Sequence, residues 1–259
     1  MSAVCFKEIL HSHNGYDIHM IVTKPFQSDK NICVILLHGT CSDMNEVGNA
    51  YVYLSSQLAD AGYASIRFDF IGSGSSKVDY IHYSYKSAVS DTQEVIEYAK
   101  KLGYDKICLL GWSQGAAIAF LSADENISST VVLAPAVDMR ILFTKKDYEQ
   151  AKMNGFVWYD PGFRSPVRLS LEWFEDVLNT DVLDIYSQKH LPTLAFHGLN
   201  DSIVDPDCSR MSVDASNHPY SRVIYMDECD HIFNVLSHGY DYLKIISREM
   251  IQWLNGLYN

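Results

Sequence analysis

The chain has 259 residues, of which 47% are apolar and 20% are charged, and its formal net charge is −12. This length and apolar content suit one large α/β domain, or two small ones, with a sizeable core. The negative charge repels nucleic acids and anionic membrane surfaces and therefore argues against both as partners. It also disfavours highly anionic substrates.

The six cysteines are scattered and form no C-x-x-C pair, so the sequence suggests neither a zinc site nor a redox motif. Cys33 and Cys108 lie in apolar, strand-like runs and are predicted to be small core residues. The segment 1–8 has neither the basic start nor the apolar core of a signal peptide. No apolar run reaches the length of a membrane span. We expect a cytoplasmic protein with reduced thiols.

The first half of the chain alternates β-rich runs with helical runs. Residues 4–10 and 16–23, joined through Asn14-Gly15, predict an antiparallel hairpin. Further strands are predicted at 32–37, 64–70 and 106–110. Helices are predicted at 49–61 and 85–102, and Gly62 and Gly103 are their predicted ends.

The second half continues this alternation after a long interruption. Strands are predicted at 130–133, 193–197 and 222–226, and a closing helix at 233–254. Alternation of this kind predicts an α/β fold with a doubly wound, mostly parallel sheet, here of eight strands. Right-handed crossovers then place helices on both faces of the sheet, and ligands should bind beyond the carboxyl ends of the strands.

Residues 137–190 interrupt the alternation without a clear central strand. The region is rich in aromatic residues: Phe143, Tyr148, Phe156, Trp158, Tyr159, Phe163, Trp173 and Phe174. Residues 156–160 and 163–170 predict a hairpin about Pro161-Gly162. Long insertions are usually functional, and we interpret this one as a cap within a single domain of residues 1–259. For most of the aromatic side chains, packing in the cap's own core is favoured over lining a pocket.

The pentapeptide Gly111-Trp112-Ser113-Gln114-Gly115 lies between an apolar run, 107–110, and a run of small residues, 116–119. A strand, a sharp turn and a helix with a serine at the apex are typical of a nucleophile elbow. The two glycines let strand and helix approach closely, because a Cβ at either place would clash. We therefore predict that Ser113 is a catalytic nucleophile. The alternative is a serine in an ordinary turn.

A serine hydroxyl needs a general base, and the base needs an acid that fixes its tautomer. In folds with this elbow the acid and then the histidine follow the serine, each in a loop after a strand. Asp201 follows the strand that ends at His197-Gly198 and is the predicted acid. Asp205 is the competitor, but it lies beside Pro206, where a helix is predicted to start, and suits an N-cap.

His231 is the predicted base, because it alone among the ten histidines fits both the chain order and a position after the last strand. The alternative is a loop histidine that caps the last helix beside Asp230. His197, at the end of a strand, is predicted to be a structural hydrogen-bonding residue.

The negative charge that develops on a substrate carbonyl needs N–H donors. Gln114, directly after the nucleophile, offers its backbone N–H at a helix N-terminus. The loop 38–40 should supply the second donor, which by position is the N–H of Thr40. This chemistry needs no metal and no cofactor.

A glycine- and serine-rich run, 71–76, also follows a predicted strand. It lacks the third glycine and the following helix of a dinucleotide-binding loop. A flexible turn is therefore predicted there.

These residues together resemble α/β-hydrolases along nearly the whole chain. The motifs that carry the resemblance are His38-Gly39, the run 68–76, the elbow 111–115, the run 197–201 and Asp230-His231. The length and helix–hairpin–helix layout of the insertion are similar to those of bacterial cinnamoyl or feruloyl esterases, which hydrolyse esters of hydroxycinnamic acids. In that family the insertion helps to hold the aromatic acyl group. The resemblance implies Ser113, Asp201 and His231 as a triad, with Thr40 and Gln114 as oxyanion donors.

The chain departs from the esterase family at three positions. The family commonly has His before the serine, a second Gly after Gln-Gly, and Phe after His-Gly, where this chain has Trp112, Ala116 and Thr40. None of these changes removes a backbone donor, so hydrolysis remains the expectation. Where the family has an aromatic side chain in the wall of the pocket, this chain has Thr40. Specificity for cinnamoyl esters is therefore left open.

We therefore expect a serine carboxylic-ester hydrolase that acts through an acyl-enzyme on small or medium acyl or aryl esters, with hydroxycinnamoyl esters among the candidates. An acyl thioesterase or an acyltransferase would use the same triad. A peptidase is less favoured, because the chain lacks the extra domain that many such peptidases carry. A non-catalytic binding protein is the alternative from a different class. The expected partner is a small-molecule ester, and the sequence is compatible with a homodimer.

Overall fold

A twisted β-sheet is the centre of the protein, for which a computed structural model describes residues 3–27 and 29–258. The strands in this part of the chain are β1 (Ala3–His11), β2 (Asp17–Pro25), β3 (Ile32–Leu37), β4 (Ala64–Phe68), β5 (Lys106–Trp112), β6 (Ile127–Leu133), β7 (Phe156–Tyr159), β8 (Val167–Ser170), β9 (Thr193–Gly198) and β10 (Arg222–Met226). All except β7 and β8 form one sheet, in the order β1-β2-β4-β3-β5-β6-β9-β10.

The sheet is mostly parallel. β1 pairs with β2, and β2 with β4, in antiparallel register, whereas the neighbours in the series β4-β3-β5-β6-β9-β10 pair in parallel. The predicted doubly wound, eight-stranded α/β sheet is confirmed. Because parallel strands point the same way, the loops that follow β3, β5, β9 and β10 all meet at one edge of the sheet.

Helices cover both faces of this sheet. They are α1 (Ala50–Asp60), α2 (Tyr85–Lys101), α3 (Gln114–Leu121), α4 (Lys145–Asn154), α5 (Leu171–Asn179), α6 (Val182–Ser187), α7 (Asp207–Ser216), α8 (Val235–His238) and α9 (Asp241–Tyr258). α1 and α9 share one buried apolar cluster, and α2 and α3 belong to the other. Burial on both faces explains why every side chain of β3 is buried, Cys33 included. None of the described helices is long and apolar enough to cross a membrane.

Glycines end the first two helices as predicted. Gly62 has φ 88° and Gly103 has φ 96°, backbone conformations that glycine adopts at little cost. After Gly103, the N–H of Tyr104 donates to the Ala99 carbonyl at 3.2 Å, and the N–H of Gly103 donates to Lys100 at 2.9 Å. This pair of bonds satisfies carbonyls that the end of the helix leaves free.

The segment between β6 and β9 contains a short 3₁₀ helix, Met139–Leu142, followed by α4, the hairpin β7–β8, α5 and α6. Trp173 and Phe174 are fully buried, and the Phe143 ring centroid lies 5.7 Å and 4.7 Å from theirs. These three rings pack against one another, as a local core requires. Trp158 and Phe163 are exposed instead.

The closing helix differs from the prediction. The sequence predicts one helix over 233–254, but the structure contains α8 and α9, separated at Gly239. Gly239 has φ 59° and ψ −131°, a conformation that breaks the helical hydrogen-bond ladder. Periodicity alone continues through this glycine, which explains the error.

Several strand boundaries were also wrong, among them that of β6, which begins at Ile127 rather than at residue 130. β8 begins at Val167 rather than at residue 163, because the preceding Pro166 has no N–H to give to a ladder. β4 ends at Phe68 rather than at residue 70, since the N–H of Phe70 donates to the His38 ring at 3.3 Å instead.

A buried carboxylate ties α2 to two distant segments. Asp91 accepts hydrogen bonds from the Tyr16 hydroxyl and, at 2.9 Å, from the N–H of Ile71. Its side chain is fully buried, and this burial raises the pKa of Asp91 to about 7. The turn between β1 and β2 and the loop after β4 therefore meet at a group that titrates near neutral pH.

This raised pKa predicts that Asp91 lowers stability as the pH rises. An aspartate in the unfolded chain ionises near pH 3.9, about three units lower, so between about pH 4 and pH 7 the folded state binds more protons. The free energy of unfolding should therefore decrease across this range and level off above it. Urea unfolding of wild type and Asp91→Asn from pH 4 to 8 measures the contribution, and the variant should lose it. Equal pH dependence in both proteins would contradict the prediction.

Candidate active site

Ser113 lies at the apex of the turn between β5 and α3. Its φ of 55° and ψ of −121° lie in a region that non-glycine residues rarely adopt. Its N–H donates to the Leu133 carbonyl at 2.9 Å, and its own carbonyl accepts from the N–H of Ala136 at 3.1 Å. The end of β6 therefore holds the strained turn in place.

The two glycines of the elbow are required by close backbone contacts. A Cβ on Gly111 would lie 2.3 Å from the Gly115 carbonyl oxygen, and a Cβ on Gly115 would lie 2.1 Å from the carbonyl oxygen of Leu37. Both distances are far below a van der Waals contact. The steric requirement predicted from the sequence is confirmed.

The structure brings Ser113, His231 and Asp201 into one chain of hydrogen bonds. His231 Nε2 lies 3.1 Å from Ser113 Oγ, and its Nδ1 lies 2.7 Å from Asp201 Oδ2. The carboxylate can only accept, so Nδ1 carries the proton and Nε2 is free to accept from the serine hydroxyl. The imidazole is thereby held in the tautomer of a general base for Ser113.

The loops after β9 and β10 bring the acid and the histidine together by packing very closely. A Cβ on Gly198 would lie 2.1 Å from the carbonyl oxygen of Cys229. The same carbonyl accepts from the N–H of Asn200 at 2.9 Å. This approach, which glycine alone permits, sets Asp201 against His231.

Asp201 accepts four hydrogen bonds. Oδ1 accepts from the N–H groups of Ile203 and Val204 at 2.8 and 2.9 Å, and Oδ2 accepts from His231 and from His197 Nε2 at 3.0 Å. Burial alone would raise the pKa of Asp201, but the hydrogen bonds from His197 and His231 outweigh it and hold the pKa well below its usual value. Asp201 is therefore an ionised, oriented carboxylate.

His197 is the second histidine that contacts the Asp201 carboxylate. Its side chain is fully buried, and Nδ1 lies 2.7 Å from the Ser209 hydroxyl of α7. Nε2 lies 3.0 Å from Asp201 Oδ2 and 3.1 Å from the Val204 carbonyl oxygen. Both of these oxygens accept hydrogen bonds. Nε2 therefore carries the proton, and His197 links Asp201 to α7.

Asp205, the competing acid, is exposed and far less constrained. Its Oδ1 accepts from the N–H of Asp207 at 2.9 Å at the start of α7. This contact is that of a residue capping a helix, the alternative that the sequence offered for Asp205.

The predicted oxyanion donors lie on two segments that touch each other. The Thr40 hydroxyl donates to Gln114 Oε1 at 3.1 Å, which connects the loop after β3 to the start of α3. Neither the N–H of Thr40 nor that of Gln114 meets an acceptor in the part of the chain that the structure describes. Both are therefore available to a substrate oxygen.

Glu46, which the sequence did not reveal as a site residue, limits which N–H group of the loop 38–40 can bind a substrate oxygen. Its Oε2 accepts the N–H of Gly39 at 2.8 Å, so this N–H is already occupied. Burial raises the pKa of Glu46. The backbone of Glu46 is itself unusual, with φ 60° and ψ 174°. Occupation of the Gly39 N–H leaves Thr40 as the donor that this loop can offer.

The glycine- and serine-rich run after β4 turns around a side chain of the protein. Asp69 accepts from the N–H groups of Met44 and Ser75 at 2.7 and 2.8 Å. A Cβ on Gly74 would lie 2.1 Å from Asp69 Oδ1. The loop therefore encloses the carboxylate of Asp69.

A cavity of about 700 Å³ opens next to Ser113 and His231. Its walls are mostly apolar and include Met139, Leu142, Tyr159, Val204 and Ile232. Four exposed apolar side chains surround it: Ile141, Phe163, Ile203 and Leu236. Its polar groups besides Ser113 and His231 include Asp43, Glu46 and Arg164. Of the eight aromatic residues noted in the insertion, Tyr159 and Phe163 line the cavity.

Trp112, one of the departures from the esterase pattern, contacts the loop that carries the histidine. Its indole N–H donates to the His231 carbonyl at 3.2 Å. The ring is buried between Tyr51 and Phe233, at centroid distances of 6.1 and 5.3 Å. The residue before the nucleophile therefore ties the elbow to the loop of the base.

A family model described as serine aminopeptidase, S33, matches residues 28–160. No curated protein matches the sequence.

Several solved structures share the fold over 96% or more of this chain. Est1E from Butyrivibrio proteoclasticus with bound ferulic acid is 18% identical, with a TM-score of 0.78 over 96% of this chain and 98% of that one. The esterase domain of a Rhodothermus marinus protein is 19% identical, with a TM-score of 0.76 over 99% and 100%. The esterase EaEST from Exiguobacterium antarcticum is 19% identical, with a TM-score of 0.69 over 96% and 100%.

The contribution of the Trp112 hydrogen bond can be measured as a change in the free energy of unfolding. Trp112→Phe should be destabilised by about 1 kcal/mol more than Trp173→Phe, because it alone loses a partner. Trp173 is a matched control: it is also buried, but its indole N–H has no acceptor among the described residues. Urea unfolding of the two variants gives the comparison. Equal destabilisation would show that the contact with His231 contributes nothing.

Proposed function

The chain belongs to the serine aminopeptidase S33 family of α/β-hydrolases and is a serine hydrolase, and from this premise we propose that it hydrolyses carboxylic esters through an acyl-enzyme. Ser113 is the proposed nucleophile, His231 the base and Asp201 the acid. The observation that carries the proposal is the unbroken chain of hydrogen bonds from Ser113 through His231 to an ionised Asp201.

In the acylation step, Ser113 Oγ attacks the carbonyl carbon of the ester while its proton moves to His231 Nε2. The imidazolium that forms is stabilised by the Asp201 carboxylate. The carbonyl oxygen becomes an oxyanion, for which the N–H groups of Thr40 and Gln114 are the proposed donors. The tetrahedral intermediate then collapses, and the departing alcohol takes the proton from His231.

Deacylation repeats these steps with water. His231 Nε2 accepts a proton from the water as its oxygen attacks the acyl carbon. A second oxyanion forms in the same place and collapses, which breaks the bond to Ser113 Oγ and returns the proton to it. The carboxylic acid is the second product, and the enzyme is restored without a cofactor.

We propose that residues 137–190 form a cap within a single domain of residues 1–259. The support is that this segment supplies one side of the cavity next to Ser113, including Met139, Leu142 and Tyr159. Apolar walls favour small or medium acyl or aryl groups, because these bury surface that water would otherwise contact. Hydroxycinnamoyl esters belong to this class, and Thr40 lines the cavity with a smaller side chain than the aromatic residue that the esterase family carries there.

Aminopeptidase activity is the second candidate, because two carboxylates line the cavity. Asp43 and Glu46 lie where a substrate ammonium group could reach them. Against this, both carboxylates already accept backbone hydrogen bonds, Glu46 from the Gly39 N–H and Asp43 from the Asn45 N–H at 2.7 Å. Burial also raises the pKa of Glu46, which disfavours its charged form. Ester hydrolysis is therefore the favoured activity. A thioesterase would use the same residues.

Replacement of Ser113 tests the nucleophile. Purified wild-type protein should release p-nitrophenol from short acyl esters, and kcat of Ser113→Ala should fall by about 10⁴-fold to 10⁶-fold, because no acyl-enzyme can form. A fluorophosphonate should label wild type and leave the variant unlabelled. Retained activity in Ser113→Ala would refute the proposal.

Replacement of the two aspartates tests the acid. Asp201→Asn should lower kcat by about 10⁴-fold, because an amide can fix the wrong tautomer of His231. Asp205→Asn, the matched control, should change kcat by less than about twofold, since the side chain is exposed and only caps α7. Similar losses of kcat in both variants would contradict the assignment of Asp201, rather than Asp205, as the acid.

Substrate classes separate the candidate activities. We expect kcat/KM to be highest for aryl and acyl esters, lower for the matching acyl thioesters, and lowest for aminoacyl p-nitroanilides. The physical reason is that the cavity offers apolar walls but no unoccupied, readily ionised carboxylate at Glu46. The reverse order would favour an aminopeptidase.

A further inference from the structure

Cys41, directly after the proposed oxyanion donor Thr40, holds an uncommon backbone conformation. Its φ is 59°, in the left-handed region, which costs a non-glycine residue free energy unless its surroundings fix it. The side chain is buried, with 2% of its surface exposed. The peptide before Cys41 is joined through the Thr40 Cα to the peptide that carries the Thr40 N–H, so contacts that hold Cys41 also restrain the direction of this donor.

Both backbone polar groups of Cys41 are bound by side chains from other parts of the chain. Its N–H donates to the Tyr80 hydroxyl at 3.3 Å, and its carbonyl accepts from Arg164 Nη1 at 3.3 Å. The Arg164 guanidinium also lies over the Tyr80 ring, 5.7 Å from the centroid, at a distance suited to a cation–π interaction. Tyr80 and Arg164 therefore contact Cys41 and each other.

The packing around Tyr80 fixes the position of the hydroxyl that accepts from the Cys41 N–H. It is 4% exposed, and its ring stacks on Tyr83 at a centroid distance of 5.0 Å. A Cβ on Gly72 would lie 2.4 Å from the Tyr80 Cα, so the neighbouring loop packs directly against its backbone. The hydroxyl of Tyr80 is thus held where the Cys41 N–H can reach it.

Arg164 differs from the arginines that serve as ion-pair partners. Five of the seven arginines pair with carboxylates: Arg140, Arg168, Arg210, Arg222 and Arg248. Within residues 3–27 and 29–258, no carboxylate lies within ion-pair distance of Arg164; its contacts are the Cys41 carbonyl and the Tyr80 ring. Arg164 comes from the turn between β7 and β8, inside the insertion.

We propose that Arg164 and Tyr80 are positioning residues for the oxyanion hole. They hold the Cys41 backbone so that the Thr40 N–H faces the reacting carbonyl oxygen, an inference that rests on the proposed function. Donors accelerate acyl transfer only when they are already oriented before charge develops. The insertion therefore does more than line the cavity, because its hairpin completes the support of the oxyanion loop.

Variants of Arg164 and Tyr80 test this inference, with Arg168→Met as a matched control. Arg168 lies on the same hairpin and forms an exposed ion pair with Asp79 at 2.7 Å, but it does not contact Cys41. Arg164→Met and Tyr80→Phe should each lower kcat on neutral aryl esters by about tenfold, with KM changed by less than about twofold. Arg164→Lys, which keeps a donor, should recover part of the loss, and Arg168→Met should retain wild-type kcat.

A second readout reports the oxyanion directly. A trifluoromethyl ketone forms a hemiketal oxyanion with an active-site serine, so its inhibition constant should rise by about tenfold in Arg164→Met and Tyr80→Phe, in parallel with kcat. The double variant should lose less than the product of the two single losses, because both residues act on one backbone segment. Thermal unfolding of each variant checks that the protein is folded at the assay temperature.

The outcomes separate this inference from the function on which it rests. A wild-type enzyme without Ser113-dependent hydrolysis would overturn both. Hydrolysis that is unaffected in Arg164→Met and Tyr80→Phe would overturn the inference alone. A loss confined to KM, and to esters that carry a carboxylate, would also overturn it, because Arg164 would then bind substrate rather than position the loop.

Discussion

The carboxylate of Asp201 is the group on which the rest of the site depends. It lies where the loops after β9 and β10 meet, and it accepts from two backbone N–H groups and from two histidines. Such a carboxylate stays ionised, and each bond removes a direction in which it could rotate. His231 is oriented by this contact, and Ser113 by the strained turn on the neighbouring strand. The geometry of these three side chains therefore arises from one edge of the sheet, which holds three loops at fixed spacing.

The same edge also carries the loop 38–41, which contains the proposed oxyanion donor Thr40, and side chains from other segments hold this loop. Glu46 occupies the Gly39 N–H, while Tyr80 and Arg164 bind the backbone of Cys41. The insertion between β6 and β9 thus contacts this edge of the sheet both through the cavity wall and through its hairpin turn. This segment, which the sequence marks by its interruption of the alternation, its aromatic content and a predicted hairpin, supplies both apolar lining of the cavity and a polar contact to the Cys41 backbone.

Local sequence patterns predicted the structure correctly where the steric properties of a single residue type decide the backbone conformation. Gly62, Gly103, Gly111 and Gly115 stand where a Cβ or an ordinary φ would be excluded, and the strand–helix alternation follows from buried apolar runs of fixed length. The patterns were insufficient where an apolar periodicity continued across a break. Gly239 divides the closing helix although the pattern on either side is helical, because periodicity reports which face is buried and not whether the backbone is continuous.

The sequence by itself determined the α/β fold, the eight-stranded sheet and the candidates Ser113, Asp201 and His231, since the order of motifs along the chain corresponds to the order of loops at one sheet edge. Only the tertiary structure decided which groups support these candidates. Trp112 reaches the His231 carbonyl, and Arg164 reaches the Cys41 carbonyl across 123 positions of the chain. Such contacts depend on three-dimensional distances between side chains and distant backbone groups, for which a single sequence contains no local signal.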